Sequence, residues 1–153
     1  GSHIQSAAKS IGIEIVRGGL YIAMEGPQFS SIAESELYRS WGCDVVGMTN
    51  MPEAKLAREA EMCYVSVAMV TDYDCWHSDH DNVTVDAIIK VLLANADNAG
   101  SLVKNVAPNI GTDTYGMICA CKTALDNAII TSPEARDKKM LEKLSAVAGR
   151  VLN

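Results

Sequence analysis

The sequence lacks a long apolar run, because no stretch approaches the roughly 20 consecutive apolar residues that a membrane helix needs. Nothing at its start has the pattern of a signal peptide. Its 13 lysines and arginines are scattered among 19 acidic residues, and the formal charge is −6 with a pI near 5.0. A basic footprint for nucleic acid is therefore missing. We expect a cytoplasmic protein that binds small molecules or proteins, and neither membranes nor nucleic acid.

Cysteine is present in an odd number, which argues against the disulfide framework of a small secreted domain. The five residues are Cys43, Cys63, Cys75, Cys119 and Cys121. Most are expected to be reduced and buried. Cys119-Ala-Cys121 is the exception, because two thiols one residue apart can form a strained redox pair or bind a soft metal. The alternative is two small apolar helix residues, and this is favoured because no second Cys or His cluster accompanies them in the sequence.

A second metal candidate is the segment WHSDHDN, with His77, Asp79, His80 and Asp81. An H-x-x-H spacing on a loop fixes no coordination geometry, and Asp81 or Asn82 is well explained as the cap of the next helix. We predict no metal site.

With 153 residues, 48% of them hydrophobic and 21% charged, the chain has the size and composition of one soluble domain. Strand and helix patterns alternate along it. GIEIV and LYIAM predict two strands joined by a Gly-Gly turn, and CDVVGM predicts a third. MCYVSVAMV, residues 62 to 70, predicts an apolar strand covered on both faces. The fold class is α/β, a mixed sheet flanked by helices.

Sequence signals for helices lie between and after the predicted strands. Ser31 and Glu34 form a capping box, and Gly42 ends the helix that follows. Pro52 predicts the first residue of a helix running to about residue 60. A long helix is expected from near Val83, and two more over residues 114–129 and 132–150. The predicted apolar faces are Ala33, Leu37, Tyr38 and Trp41 on the first helix, and Val85, Ile88, Ile89, Leu92, Ala96, Ala99 and Val103 on the long one.

The loops after Met24, Met48 and Val70 carry the polar residues, and we expect them to converge, because ligands of open α/β sheets bind beyond the carboxyl ends of strands. In the third loop, Asp72 and Asp74 point to the same side if strand geometry persists. Repulsion and burial would then raise the pKa of at least one carboxyl above about 3.9, which suits a general acid. The alternative is that both are turn formers and helix caps.

Three separated motifs, MEGPQFSSIAES, VVGMTNMPEAKLAREAEMCY and VAMVTDYDCW, are similar in order and spacing to those of the S-methyl-5'-thioadenosine phosphorylases of the purine nucleoside phosphorylase superfamily. The similarity runs from about Ile4 to Pro108 and is weaker beyond it. The resemblance implies phosphorolysis of methylthioadenosine to adenine and 5-methylthioribose 1-phosphate. It also implies that inorganic phosphate is the co-substrate and that no cofactor takes part.

The resemblance also implies roles for the third loop. Asp74 would be the general acid that protonates purine N7, because adenine leaves poorly as an anion. Asp72 would accept a hydrogen bond from the 6-amino group and so favour adenine over 6-oxopurines. Thr71 would lie beside them in the substrate site.

Further residues are implied to contact the substrates. Phe29, the only phenylalanine, would pack against the purine, and Met48 against the ribose. Thr49 and Ser30 would contact phosphate. Val85 and Ile88 would form an apolar wall for the methylthio group, to which Ile89 adds. Core packing for Phe29 and Met48, and helix capping for the serines, are the alternatives.

The main departure from the family is length, since its members are nearly twice as long. Gly1, Ser2 and His3 have the pattern of a tag remnant, and residues 4–153 would then be the C-terminal part of a single nucleoside phosphorylase domain without its N-terminal half. Alone the chain is expected to be inactive, with an open sheet edge that favours a complementing chain or self-association. The resemblance implies a homotrimer. The alternatives are a nucleosidase, another purine nucleoside phosphorylase, or a non-catalytic purine-binding or oligomerisation module.

Overall fold

The computed structural model describes residues 1–77, 85–111 and 119–152, and within these it contains α-helices and a small parallel sheet. The α-helices are α1 (Ser2–Ser10), α2 (Ile32–Ser40), α3 (Glu53–Glu59), α4 (Val85–Val106) and α5 (Lys138–Leu152), and the strands are β1 (Tyr21–Ala23) and β2 (Val45–Gly47). Short 3₁₀ turns cover Asp74–Trp76, Ala107–Asn109, Ala120–Thr123 and Pro133–Ala135. Within these residues we find no helix with the length and apolar character that crossing a membrane requires.

The chain divides into two compact units. The first unit comprises Gly1–Met48 and Val67–Tyr115, and the second comprises Thr49–Ser66 and Gly116–Asn153. The first unit contains α1, α2, α4 and both strands. The second contains α3 and α5.

The core of the first unit lies between α1 and the end of α4. Ala7 and Ala8 of α1 are buried against Leu102 and Val106 of α4. Ile4, Ile11, Ile13 and Ile15 pack around them. Two small residues on α1 let the helices approach closely, and the longer side chains of α4 fill the gap.

The predicted hairpin of GIEIV and LYIAM is wrong within the described residues. Ile13 and Ile15 pack on the core formed by α1 and α4 and make no strand pairing. The alternation of apolar and polar residues in GIEIV therefore reflects packing against helices. β1 pairs in parallel with β2, with Tyr21 opposite Val45 and Ala23 opposite Gly47. Hydrogen bonds from Asp44 N to Leu20 O and from Met24 N to Gly47 O, both 2.8 Å, extend this pairing at its two ends.

The predicted buried strand over residues 62–70 is also wrong in this structure. No residue of the segment is assigned to a strand, and Val65, Met69 and Val70 are all at least half exposed. A strand exists only where a neighbour supplies ladder hydrogen bonds, and the described part of the chain supplies none to this segment.

The α2 helix begins and ends as predicted. The Ser31 hydroxyl accepts from Glu34 N at 3.3 Å while Ser31 N donates to the Glu34 carboxylate at 2.7 Å, so the capping box is confirmed. The Glu34 carboxylate accepts from Ser31 N and also from the Ser31 hydroxyl, and these two hydrogen bonds hold the pKa of Glu34 below its usual value. The helix ends at Ser40, and Gly42 has φ +77°, the left-handed conformation that glycine adopts without strain. Its predicted apolar face is not covered, since Leu37 and Trp41 are exposed.

The other helices match the predictions in part. α3 follows Pro52 and ends at Glu59, as expected. α4 buries Leu102 and Val106, whereas Ile89, Leu92 and Val103 of the predicted stripe are exposed. The predicted helix start near Val83 and residues 114–118 of the next predicted helix lie outside the described residues. Over the described 119–129 the predicted helix is replaced by a 3₁₀ turn and further turns, and the last helix begins at Lys138, after a 3₁₀ turn at Ser132-Pro133.

An ion-pair network connects the elements of the second unit. The Arg150 guanidinium of α5 contacts both Glu61 and Asp126. Hydrogen bonds from Arg150 lower the pKa of Glu61, and its oxygen also accepts from Leu125 N at 3.1 Å. Glu61, just beyond α3, therefore ties α5 to the segment around residue 125.

Candidate active site

The first polar loop follows β1 and leads into α2. Gly26 has φ +70°, and a Cβ at this position would lie 3.1 Å from the Met48 sulfur. The Ser30 hydroxyl donates to the Met24 sulfur at 3.3 Å. Parallel pairing of β1 and β2 thus sets Met48, directly after β2, beside the turn of the first loop.

The third loop is organised by Asp72. One carboxylate oxygen accepts from the Thr71 hydroxyl at 2.7 Å and the other from Asp74 N at 2.9 Å. The second hydrogen bond closes a turn of the kind that aspartate commonly forms. The turn-forming alternative therefore describes Asp72 in this structure, although each oxygen keeps a further lone pair for a ligand.

Asp74 has a conformation that the sequence pattern does not indicate. Its φ is +60°, so strand alternation does not hold and the expectation that Asp72 and Asp74 point to the same side on a strand is wrong. Its Oδ2 accepts from the Ser35 hydroxyl at 2.8 Å. Ser35 lies within α2 and is only 2% exposed. A non-glycine residue in the left-handed region costs free energy and marks a position worth testing for function.

Ser35 was missed by the sequence analysis, which considered only the apolar side chains of α2. The one signal was its place inside the amphipathic helix, where a serine seldom favours the helix itself. The role of Ser35 is apparent only from the structure, where the third loop contacts α2.

Three more contacts hold the third loop, one each to the first loop, to α2 and to α4. The Cys75 thiol lies 3.4 Å from Ser30 O, and the Arg39 guanidinium stacks 3.7 Å from the centre of the Trp76 ring. Burial, followed by the charge of Asp74, raises the pKa of Cys75 above its usual value, so this thiol stays neutral. Asn95 of α4 donates to Val70 O at 3.0 Å. The structure thereby brings the first and third loops together.

The predicted site residues occupy different settings. Ser30, Met48, Thr71, Asp74 and Ile88 are half-buried, and Asp72 and Thr49 are exposed. Phe29 is 85% exposed, so its alternative as a core aromatic is wrong here. Thr49 belongs to the second unit, whereas the others belong to the first. The side chain of Val85 and residues 79–82 of WHSDHDN lie outside the described residues.

An apolar cavity of about 150 Å³ in the first unit is lined by Ile4, Val67, Leu102, Val103, Val106, Ala107 and Ile110. Its α4 residues begin 14 positions beyond Ile88, which is about 21 Å along a helix. This cavity is thus separate from the predicted methylthio wall.

Within the described residues, one group of side chains has the spacing of metal ligands. The sulfurs of Cys63, Cys119 and Cys121 lie within 4.8 Å of one another in the second unit. The sequence pattern joins only Cys119 and Cys121, because Cys63 is 56 residues away from Cys119 along the chain.

Polar loops gather beyond parallel strands, and a buried serine holds an aspartate there, which is where ligand sites lie in open α/β proteins. Residues 2–108 match the family model of the Phosphorylase superfamily. The chain belongs to this superfamily, and the predicted nucleoside phosphorylase fold is confirmed.

Curated relatives carry the name S-methyl-5'-thioadenosine phosphorylase. The relative from Rhodospirillum rubrum is 57% identical over 152 residues, covering 99% of this chain and 52% of its own length. The relative from Bradyrhizobium diazoefficiens is 59% identical over 150 residues, covering 98% and 52%. The chain therefore spans about half the length of the curated relatives it matches.

A solved structure shows the same relation. Methylthioadenosine phosphorylase from Schistosoma mansoni in complex with adenine has a TM-score of 0.65 and 28% identity, and covers 83% of this chain and 48% of its own.

Proposed function

We propose that this chain is the nucleoside-binding part of an S-methyl-5'-thioadenosine phosphorylase, with Asp74 as the general acid at purine N7. The observation that carries the proposal is the hydrogen bond of 2.8 Å from buried Ser35 to Asp74 Oδ2, made by a residue in a left-handed conformation. The names of the half-matching relatives support the choice of substrate.

The hydrogen bond suits Asp74 to this role. Because Ser35 donates to Oδ2, that oxygen serves as acceptor, and a proton on the carboxyl resides on Oδ1. Oδ1 is then the atom that presents the proton to the base. Ser35 is a positioning residue in this scheme.

In the proposed reaction, a phosphate oxygen forms a bond to C1' of the ribose while the C1'–N9 bond breaks. The electron pair of that bond passes into the purine, and Asp74 gives its proton to N7, so that adenine leaves neutral. The new phosphate ester releases a proton to solvent, and Asp74 takes one up again. Asp72 accepts from the 6-amino group, and Phe29 packs on the purine plane. Thr71 lies in the same site, and Met48 contacts the ribose.

The remaining contacts complete the proposal. Val85 and Ile88 face the methylthio group, and Ser30 and Thr49 contact phosphate. Two neutral hydroxyls do not balance a phosphate dianion, so we expect the isolated chain to be inactive. Phosphate is the co-substrate and no cofactor is needed. We further infer a cytoplasmic homo-oligomer, a trimer by family resemblance, that acts in purine and methionine salvage.

The experiment supplies an N-terminal half from a relative. The chain is co-expressed with the N-terminal half of the Rhodospirillum rubrum relative, and adenine release from methylthioadenosine is measured with and without phosphate. The same relative, split at the matching position, shows whether two halves assemble at all. We expect phosphate-dependent turnover from the pair and none from the chain alone.

Asp74→Asn is the decisive variant, because it keeps the shape and loses the acidic proton. Its kcat/KM is expected to fall by about 10²- to 10⁴-fold, the usual contribution of a general acid. Unchanged turnover in Asp74→Asn would remove the assigned acid. Equal turnover without phosphate would make the enzyme a nucleosidase, and adenine binding without turnover would leave a binding module.

A further inference from the structure

Three cysteines of the second unit bring their sulfurs into contact. Cys63 follows α3, and Cys119 and Cys121 flank Ala120 at the start of the 3₁₀ turn Ala120–Thr123. The Cys63 and Cys119 sulfurs are 3.3 Å apart, and all three sulfurs lie within 4.8 Å of one another. The cluster thus joins segments that are distant in sequence.

The spacing fits a tetrahedral thiolate site. With Zn–S bonds of about 2.3 Å, tetrahedral geometry separates two ligand sulfurs by about 3.8 Å. The separation of 3.3 Å between the Cys63 and Cys119 sulfurs and the limit of 4.8 Å for all three sulfurs both lie within about 1 Å of this value, so small side-chain rotations are enough to place three sulfurs around one ion.

A cationic side chain lies beside the cluster. Arg58 Nη1 is 3.9 Å from the Cys121 sulfur and would offset the negative charge of thiolate ligands.

We propose that Cys63, Cys119 and Cys121 bind one zinc ion, with water as the fourth ligand. Three S–H bonds break and three S–Zn bonds form, the protons pass to solvent, and no atom changes oxidation state. The ion would cross-link the end of α3 to the 3₁₀ turn, so its binding would stabilise the folded second unit. This proposal is independent of the proposed function.

The test uses the reduced, metal-free chain. Calorimetric titration with Zn²⁺ is expected to give one ion per chain, and Cd²⁺ is expected to give the ultraviolet charge-transfer band of thiolate coordination. Cys63→Ser, Cys119→Ser and Cys121→Ser should each weaken Zn²⁺ binding by more than the roughly 10- to 100-fold that loss of an outer-shell partner causes. Cys43→Ser is the matched control and should bind Zn²⁺ as the parent does.

A second measurement needs no variant and so does not depend on how the variants fold. Alkylation with mass-spectrometric mapping should label all five cysteines of the metal-free chain. With Zn²⁺ bound, Cys43 and Cys75 should remain labelled, and the three cluster cysteines should be protected. Zinc binding that survives Cys63→Ser unchanged, or that disappears in the double variant His77→Gln and His80→Gln, would overturn the proposal. Failure of the reduced chain to bind Zn²⁺ would do the same.

Discussion

Substitutions of Asp74 can distinguish two contributions to stability, the hydrogen bond from Ser35 and the left-handed backbone conformation. Alanine removes the acceptor of the Ser35 hydroxyl and also keeps a Cβ in the left-handed region, where φ is +60°. Asparagine keeps an acceptor oxygen and tolerates that backbone conformation. Glycine loses the acceptor and relieves the backbone.

The magnitudes follow from burial and backbone conformation. Ser35 is 2% exposed, so leaving its hydroxyl without a partner costs about 1–3 kcal/mol. The left-handed conformation costs alanine about 1–2 kcal/mol. Asp74→Ala should therefore lower the free energy of unfolding by about 2–4 kcal/mol, less than the full sum because aspartate already bears part of the left-handed cost, and Asp74→Asn by less than about 1 kcal/mol. Asp74→Gly should fall between them.

Urea unfolding measures these differences. The fluorescence of Trp76, in the same 3₁₀ turn as Asp74, reports on the third loop, and Trp41 lies in the same unit. Equal free energies of unfolding for the alanine and asparagine variants would refute the reasoning, because neither the hydrogen bond nor the backbone cost would then exist.

Further predictions concern the helix ends and the ion pairs. Ser31→Ala should lower the free energy of unfolding by about 1 kcal/mol in urea, because it removes the N-cap, whereas Ser31→Asp should largely preserve it. Gly42→Ala should cost about 1–2 kcal/mol, since φ is +77°, while an effect below the error would contradict a left-handed residue. Folding lowers the pKa of Glu34 and of Glu61, so the stabilisation that each carboxylate contributes is present above the usual value of 4.5 and is lost as the pH falls below it. The urea midpoint of unfolding should therefore fall between pH 6 and pH 3. In Glu34→Gln this fall should be smaller, by about half or less. Arg150→Lys should lower the calorimetric melting temperature, because lysine has no planar fork for the Glu61 carboxylate, and an unchanged melting temperature would contradict the network.

Local signals in the sequence were sufficient for the ends of α2 and for the start of α3 to within one residue. Ser31 with Glu34, Gly42 and Pro52 act through hydrogen bonds and backbone angles within a few residues, and each marks a helix boundary in the structure. The apolar centres of β1 and β2 were located for a similar reason, since their side chains prefer extended backbone.

Features that depend on contacts between residues distant in sequence could not be predicted from the sequence. Apolar composition over residues 62–70 indicates what the segment would bury, but it does not say whether a neighbouring strand is present to pair with it. The left-handed Asp74 and its Ser35 partner are 39 positions apart, and Cys63 meets Cys119 across 56. Such contacts are set by how the loops fold back, and no local pattern encodes them.

The brevity of the two strands has an optical consequence. Each contains three residues, whereas α4 alone contains 22. Far-ultraviolet circular dichroism of this α/β chain should accordingly resemble the spectrum of an all-helical protein. Growth of a sheet-type signal on mixing with a second polypeptide would then be a direct, label-free sign that the ladder has been extended.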